Sequence, residues 1–207
     1  MHISEGILSG PVLLSGAALA AVGTGIGLKQ MDYDRVAQAG VLSASFFVAS
    51  LIHVPIGPSS IHLILNGVVG LLLGWGAFPA ILVALVLQAI LFQYGGITTL
   101  GVNTVLMALP AVLCYYLFIP MIRSDKKGVF LTGAFFVGSG AILLSGIIVA
   151  LSLVFTGESF LEAAALVVAA HVPIMVIEGV ITMFCVGFIK KVQPGLLLGA
   201  ARLGAAR

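Results

Sequence analysis

Apolar residues come in seven runs, and the breaks between them carry much of the glycine, proline and charge. The runs fall at about 8–28, 36–54, 61–75, 77–93, 103–122, 129–155 and 164–189. An apolar helix needs about 20 residues to cross the hydrocarbon layer. The pattern therefore predicts an all-α integral membrane protein, a bundle of about seven transmembrane helices in a single polytopic domain over residues 1–207. No internal repeat and no domain-dividing linker interrupts it. The tail from Gln193 to Arg207 is rich in glycine and alanine and is expected to be loose or to lie at the interface.

The third run is the irregular one. Fourteen residues of helix from Ile61 to Gly74 would rise only about 21 Å at 1.5 Å each, against a hydrocarbon core of about 30 Å. Its lead-in, Val54-Pro55-Ile56-Gly57-Pro58-Ser59-Ser60, contains two prolines and cannot be regular helix. Non-helical backbone at membrane depth persists only where protein buries it or a cavity solvates it. The loop is expected to dip inward and to place His62 in the first turn of span three. Ser59 or Ser60 would serve as N-cap, and the helix dipole would keep the imidazole neutral.

Composition agrees. Hydrophobic residues make up 61% and charged residues 8%, and mean hydropathy is +1.26, whereas soluble domains carry about 25% charged residues. The net charge of +2 does not indicate nucleic acid, because the distribution of the basic residues follows topology. Lys29, Arg35, Arg123, Lys126, Lys127, Lys190, Lys191, Arg202 and Arg207 all follow the first, fifth or seventh run. Seven spans put those places on one side, which the positive-inside rule makes cytoplasmic. The N-terminus is then outside and the C-terminus cytoplasmic. All four histidines, His2, His53, His62 and His171, belong to the outer half. Cys114 and Cys185 lie in apolar runs and read as small core residues.

The candidate chemistry begins at the start of the chain. Met1-His2 offers an α-amine, a backbone amide and an imidazole within two residues. With the amide deprotonated, these nitrogens can lie in one plane as two fused chelate rings. One further imidazole completes a planar four-nitrogen site, a geometry suited to Ni(II) or Cu(II) more than to Zn(II). His62, expected inside the membrane, is the candidate fourth ligand, since intramembrane ionisable groups point to function. His53 and His171 are secondary candidates. His171 and Glu178 are seven residues apart, on one helical face. Gln88 and Asn103 are uncharged hydrogen-bond formers suited to holding ligand groups in place. The Gly-rich stretch Gln93 to Asn103 lacks the lysine and spacing of a phosphate loop; its glycines instead suit tight backbone near a buried terminus. A cleaved signal peptide is the competing reading of residues 7–20, with Ala18-Leu19-Ala20 as cleavage site. It lacks a basic leader, however, and Glu5 stands where a lysine is expected.

These motifs together resemble the NikM/CbiM family, the substrate-binding membrane (S) components of nickel and cobalt energy-coupling-factor (ECF) transporters. The resemblance rests on Met1-His2-Ile3-Ser4-Glu5-Gly6, on Val54 through His62, on the Gly-Gly-Ile and Leu-Gly-x-Asn pattern between Gln88 and Asn103, and on Glu178-Gly-Val-Ile-Thr. It implies metal ligation by Met1, His2 and His62; His53, Gln88, Asn103 and His171 remain candidates for supporting positions around the ligands from their chemistry and placement alone. It also implies a multi-pass protein of a prokaryotic cytoplasmic membrane that captures Ni²⁺ or Co²⁺ from outside, with no catalytic site and no resident cofactor. Energy would come from a coupling transmembrane (T) protein and ATP-binding cassette ATPases, sometimes with a small accessory membrane subunit, all within membrane lipid and without nucleic acid. The chain itself has no Walker-type loop. A stand-alone secondary carrier or channel for a small solute is the alternative. Carriers often show paired repeats and charged midplane residues, and Glu178 is the single feature here of that kind. An intramembrane enzyme is disfavoured, because no nucleophile–base pair is evident.

Overall fold

The computed structural model describes residues 2–51, 53–56 and 59–197, with 53–56 and 59–62 as backbone only. Met1 and the residues beyond 197 lie outside the described residues. Among the described residues, seven α-helices stand out: α1 (Gly10–Gln30), α2 (Val36–Ala49), α3 (Asn66–Leu73), α4 (Ala77–Phe92), α5 (Leu100–Ile122), α6 (Lys127–Val154) and α7 (Leu161–Val192). Taking α3 and α4 as one broken span, five helical segments among the described residues are long and apolar enough to cross a membrane. At 14 residues, α2 is shorter than its apolar run. The expectation of an all-helical membrane bundle holds, with one local exception.

That exception is a hairpin. Strands β1 (His53–Ile56) and β2 (Ser59–His62) pair antiparallel, with His53 opposite His62 and Ile56 opposite Ser59. The lead-in is thus non-helical, as its prolines require, but it does not deliver His62 into a helix. Helix α3 starts four residues later, with Leu65 as N-cap at φ 56° and ψ 17°. Ser59 and Ser60 are strand residues, so neither caps α3, and the dipole argument for His62 falls with them. The reason lies outside the local sequence. The backbone N–H groups of Ile64 and Leu65 are taken by the carboxylate of Glu178 on α7, which ends the extended segment and lets the chain turn into α3.

All eight residues of α3 are buried. A helix that is apolar on every side belongs at the centre of a bundle, and α3 sits among α4, α5, α6 and α7. Gly74, at φ 56°, takes a backbone conformation that an L side chain rarely adopts, and ends α3 before the turn into α4. Small residues bring helices together without the aid of water. A Cβ on Gly101 would strike the backbone of Ala17, so α1 and α5 cross in close contact just below the N-terminal segment. Gly70 meets the Ala111 carbonyl in the same way, seating α3 on α5.

The bundle has two chemically different ends. Residues 2–9, 93–99 and 155–160 share one of them: Glu5 N–H donates to the Gly95 carbonyl at 2.9 Å, and Ser9 N–H to Thr156 Oγ at 3.3 Å. Every described basic residue is at the other end, at the last turn of α1, around the α1–α2 and α5–α6 turns, and at the last turn of α7. There the Lys190 ammonium sits 3.9 Å from the centre of the Phe130 ring and donates to the Ser124 carbonyl at 3.1 Å. The tail is less loose than expected as far as it is described, since Leu197 is buried in the core formed with α5 and α6.

Candidate metal-capture site

The N-terminal segment enters the bundle instead of fraying from it. Ile3 is fully buried, and its backbone is clasped by one side chain from the first turn of α5. Asn103 Oδ1 accepts the Ile3 N–H at 2.9 Å, while Asn103 Nδ2 donates to the Ile3 carbonyl at 3.1 Å. The same Nδ2 donates to Thr99 Oγ at 3.1 Å. An amide side chain is the one neutral group that can answer both polar atoms of a buried peptide residue. Glu5 completes the strap, its Oε1 accepting the Thr98 N–H at 3.2 Å.

The glycines opposite are there for space. Gly95 has φ 75°, and a Cβ on it would lie 2.7 Å from Asn103 Nδ2 and 3.5 Å from the His2 ring. A Cβ on Gly96, at φ 144°, would collide with the Glu5 carboxylate. The tight-backbone reading of this loop holds, and Asn103 belongs to α5 proper.

The ring of His2 is turned inward, at 4% exposure, with the Tyr94 ring 6.2 Å away. A chain of hydrogen bonds determines which ring nitrogen carries the proton. The Phe47 carbonyl can only accept, so Ser50 Oγ donates to it, at 2.8 Å. Ser50 must then accept from Gln88 Nε2, which leaves Gln88 Oε1 facing the imidazole. His2 Nε2 lies 2.7 Å from that oxygen and therefore bears the hydrogen. The proton on Nε2 makes Nδ1 the basic nitrogen of the neutral ring. Gln88 is fully buried in α4, where an unanswered amide would be costly, and His2 and Ser50 answer its two ends.

The hairpin roots beside this chain. Ser50 ends α2, and His53 begins β1 three residues on, at the open end where its register partner is His62. Three residues reach about 10 Å at most. The base of the hairpin is thus tethered near Gln88 on one strand and to Glu178 on the other. His171 takes no part in the bonds around His2. It is buried on α7 against Gly146, with Nδ1 on the Val167 carbonyl of its own helix. Among the described residues, no three His, Cys, Asp or Glu side chains gather in a group able to hold a metal.

Comparison with known proteins decides the family. The model for the cobalt uptake substrate-specific transmembrane region, CbiM, matches residues 2–196. The chain belongs to the CbiM family. A putative metal transport protein of Haemophilus influenzae is 40% identical over 202 residues, covering 95% of this chain and 97% of its own. A fused nickel transport protein, NikMN, of Rhodobacter capsulatus is 38% identical over 115 residues, 52% of this chain and 33% of that protein. A crystal structure described as a transition metal transporter superposes with a TM-score of 0.74 at 29% identity, covering 93% of each chain. The protein is therefore a multi-pass membrane protein of a family of cobalt and nickel transporter components.

Within this CbiM-family fold, sequence reasoning singled out Gln88 and missed Ser50 and Thr99. A glutamine inside an apolar run was the one visible signal for the first, whereas serine and threonine are ordinary in membrane helices and gave none. Gln88→Leu removes the acceptor that holds the His2 ring and its proton. Metal affinity is expected to fall about 10–100-fold, as for other partners of ligating histidines, with little change in helicity, as read by metal titration and circular dichroism.

Proposed function

We propose that this protein captures Ni²⁺ or Co²⁺ at the end of the bundle that holds His2, using the α-amine of Met1, the deprotonated amide and Nδ1 of His2, and the imidazole of His62. The observation that carries the proposal is the buried His2 ring held through Nε2 by Gln88 at 2.7 Å. Amine, amide and Nδ1 of a second-residue histidine close one five-membered and one six-membered chelate ring, whereas Nε2 points away from both. The Gln88 bond therefore keeps the proton on the nitrogen that the chelate does not use. The Asn103 clasp begins at the next residue, so the chain that follows the His2 amide is directed before any ion arrives.

The charge distribution supports an outward-facing site. With the basic end cytoplasmic, His2 lies at the extracytoplasmic end, where an incoming ion meets it first. The cargo then passes to partner subunits, a coupling transmembrane protein and ATP-binding cassette ATPases, which supply the energy for uptake; the fusion seen in NikMN supports a partner within the membrane. Binding displaces protons from the amine and the amide, so affinity should rise with pH.

The test is metal analysis of the protein purified with an untagged, sequenced N-terminus from medium containing Ni²⁺ or Co²⁺. One ion per chain is expected, with His62→Ala retaining almost none. A His62→Ala protein that keeps its full complement of metal would overturn the proposed ligand set.

A further inference from the structure

Glu178 is a fully buried carboxylate in the middle of α7, and the metal-capture reading gives it no task. Its Oε1 accepts the Ile64 N–H at close range and the Leu65 N–H at 3.0 Å, and Oε2 lies 3.3 Å from the same Leu65 nitrogen. The bonds reach across 114 and 113 positions of sequence. They meet the chain where β2 ends and α3 begins, at the N-terminus of a buried helix whose cap residue, Leu65, makes no side-chain capping bond. An anion is favoured at such an end. Leu65 is also one of two described non-glycine residues with positive φ. A left-handed leucine is strained backbone that persists only where its surroundings enforce it.

What this turn carries gives the arrangement its meaning. Ile64 is two residues beyond His62, and β2 pairs with β1. The strand bearing His62 is thus held on one side by its ladder to β1, and at its exit by Glu178. We infer that Glu178 is a positioning residue for metal capture: its carboxylate caps α3 from across the bundle and thereby fixes where the His62 strand meets the His2 end. A consequence is that α7, whose far end carries Lys190 and Lys191, is joined through one side chain to the segment that presents a metal ligand. Displacement of α7 would be felt at the hairpin.

This inference rests on the proposed ligand set, and one experiment separates the two. Ni²⁺ is titrated into the full chain with a native N-terminus, and the visible absorption of the planar nitrogen-ligated ion is followed for wild type, His62→Ala, Glu178→Gln and Glu178→Leu. Loss of a partner that orients a ligand typically weakens binding about 10–100-fold. Glu178→Gln, which keeps one acceptor oxygen, is expected near the lower figure and Glu178→Leu near the upper. Added imidazole should restore the planar spectrum to both His62→Ala and Glu178→Leu, because each lacks only a well-placed fourth nitrogen. A general folding defect would not be repaired in this way.

Wild-type affinity in folded Glu178 variants overturns the inference, and so does failure of imidazole to rescue Glu178→Leu where it rescues His62→Ala. If Glu178→Leu does not fold, Glu178→Gln decides alone, and wild-type affinity there overturns it. Absence of the planar spectrum from wild type, or its survival in His62→Ala, would instead remove the ligand set and this inference with it.

Discussion

Acetylating the α-amine of Met1 is expected to abolish high-affinity metal binding as completely as His2→Ala does. Either change removes one of four proposed nitrogens and opens a fused chelate ring, so the loss should exceed the roughly 10–100-fold that follows removal of a supporting partner. The two changes leave different structures behind. Acetylation leaves the His2 ring on Gln88 and the Ile3 backbone on Asn103, so the helical bundle should keep its thermal midpoint. His2→Ala empties a buried position beside Tyr94 and leaves Gln88 Oε1 unanswered, which costs about 1–3 kcal/mol. A protein that loses metal on acetylation while its stability is unchanged isolates the amine as a ligand. Undiminished affinity after complete acetylation, verified by mass, would exclude terminal chelation.

A residue added ahead of Met1 gives an independent check with a different signature. The amine moves outward, and the Met1 amide becomes available as an additional planar donor. Any ion that such a chain still holds would take that amide in place of the His62 ring. His62→Ala should then cost nothing further in the extended protein, although it is severe in the native one.

The long apolar runs were legible in sequence because lipid imposes a simple demand, roughly 20 apolar residues for each crossing. Helices α1, α4, α5, α6 and α7 begin and end within about three residues of their runs. The segment around His62 was not legible in the same way. Two prolines announced the irregular backbone, but what replaces helix there is set by a carboxylate more than 110 positions away, with no trace in the local pattern. The same holds around His2. That the terminus is held was inferable from Met1-His2 and from the glycines at 95 and 96, whereas the bond from His2 to Gln88 spans 86 positions and passes on to a serine of no distinctive context. Sequence thus named the candidate ligands; what the fold adds is the set of polar partners around His2 and at the exit of the His62 strand.

Asn103→Leu is expected to release the N-terminal segment from the bundle and with it most of the metal affinity. The substitution keeps the branched four-atom shape of the side chain, but it strands both polar atoms of Ile3, a residue with no exposed surface. Each unanswered buried group costs about 1–3 kcal/mol, and two of them approach a substantial part of the total stability of an ordinary domain, about 5–15 kcal/mol. The cheapest response is for residues 2–6 to leave the site and hydrate, since the Glu5 carboxylate is already at the surface and the helices do not depend on the strap. Limited proteolysis should then cut ahead of α1 in Asn103→Leu and not in wild type, and the metal titration should weaken in parallel. Asn103→Asp sharpens the point. It keeps an acceptor for the Ile3 N–H but sets a second oxygen against the Ile3 carbonyl, now 3.1 Å from a donor, so a near-isosteric change should release the terminus almost as readily. Intact protection in Asn103→Asp would show that apolar burial of Ile3, and not the paired amide, holds the segment that carries His2.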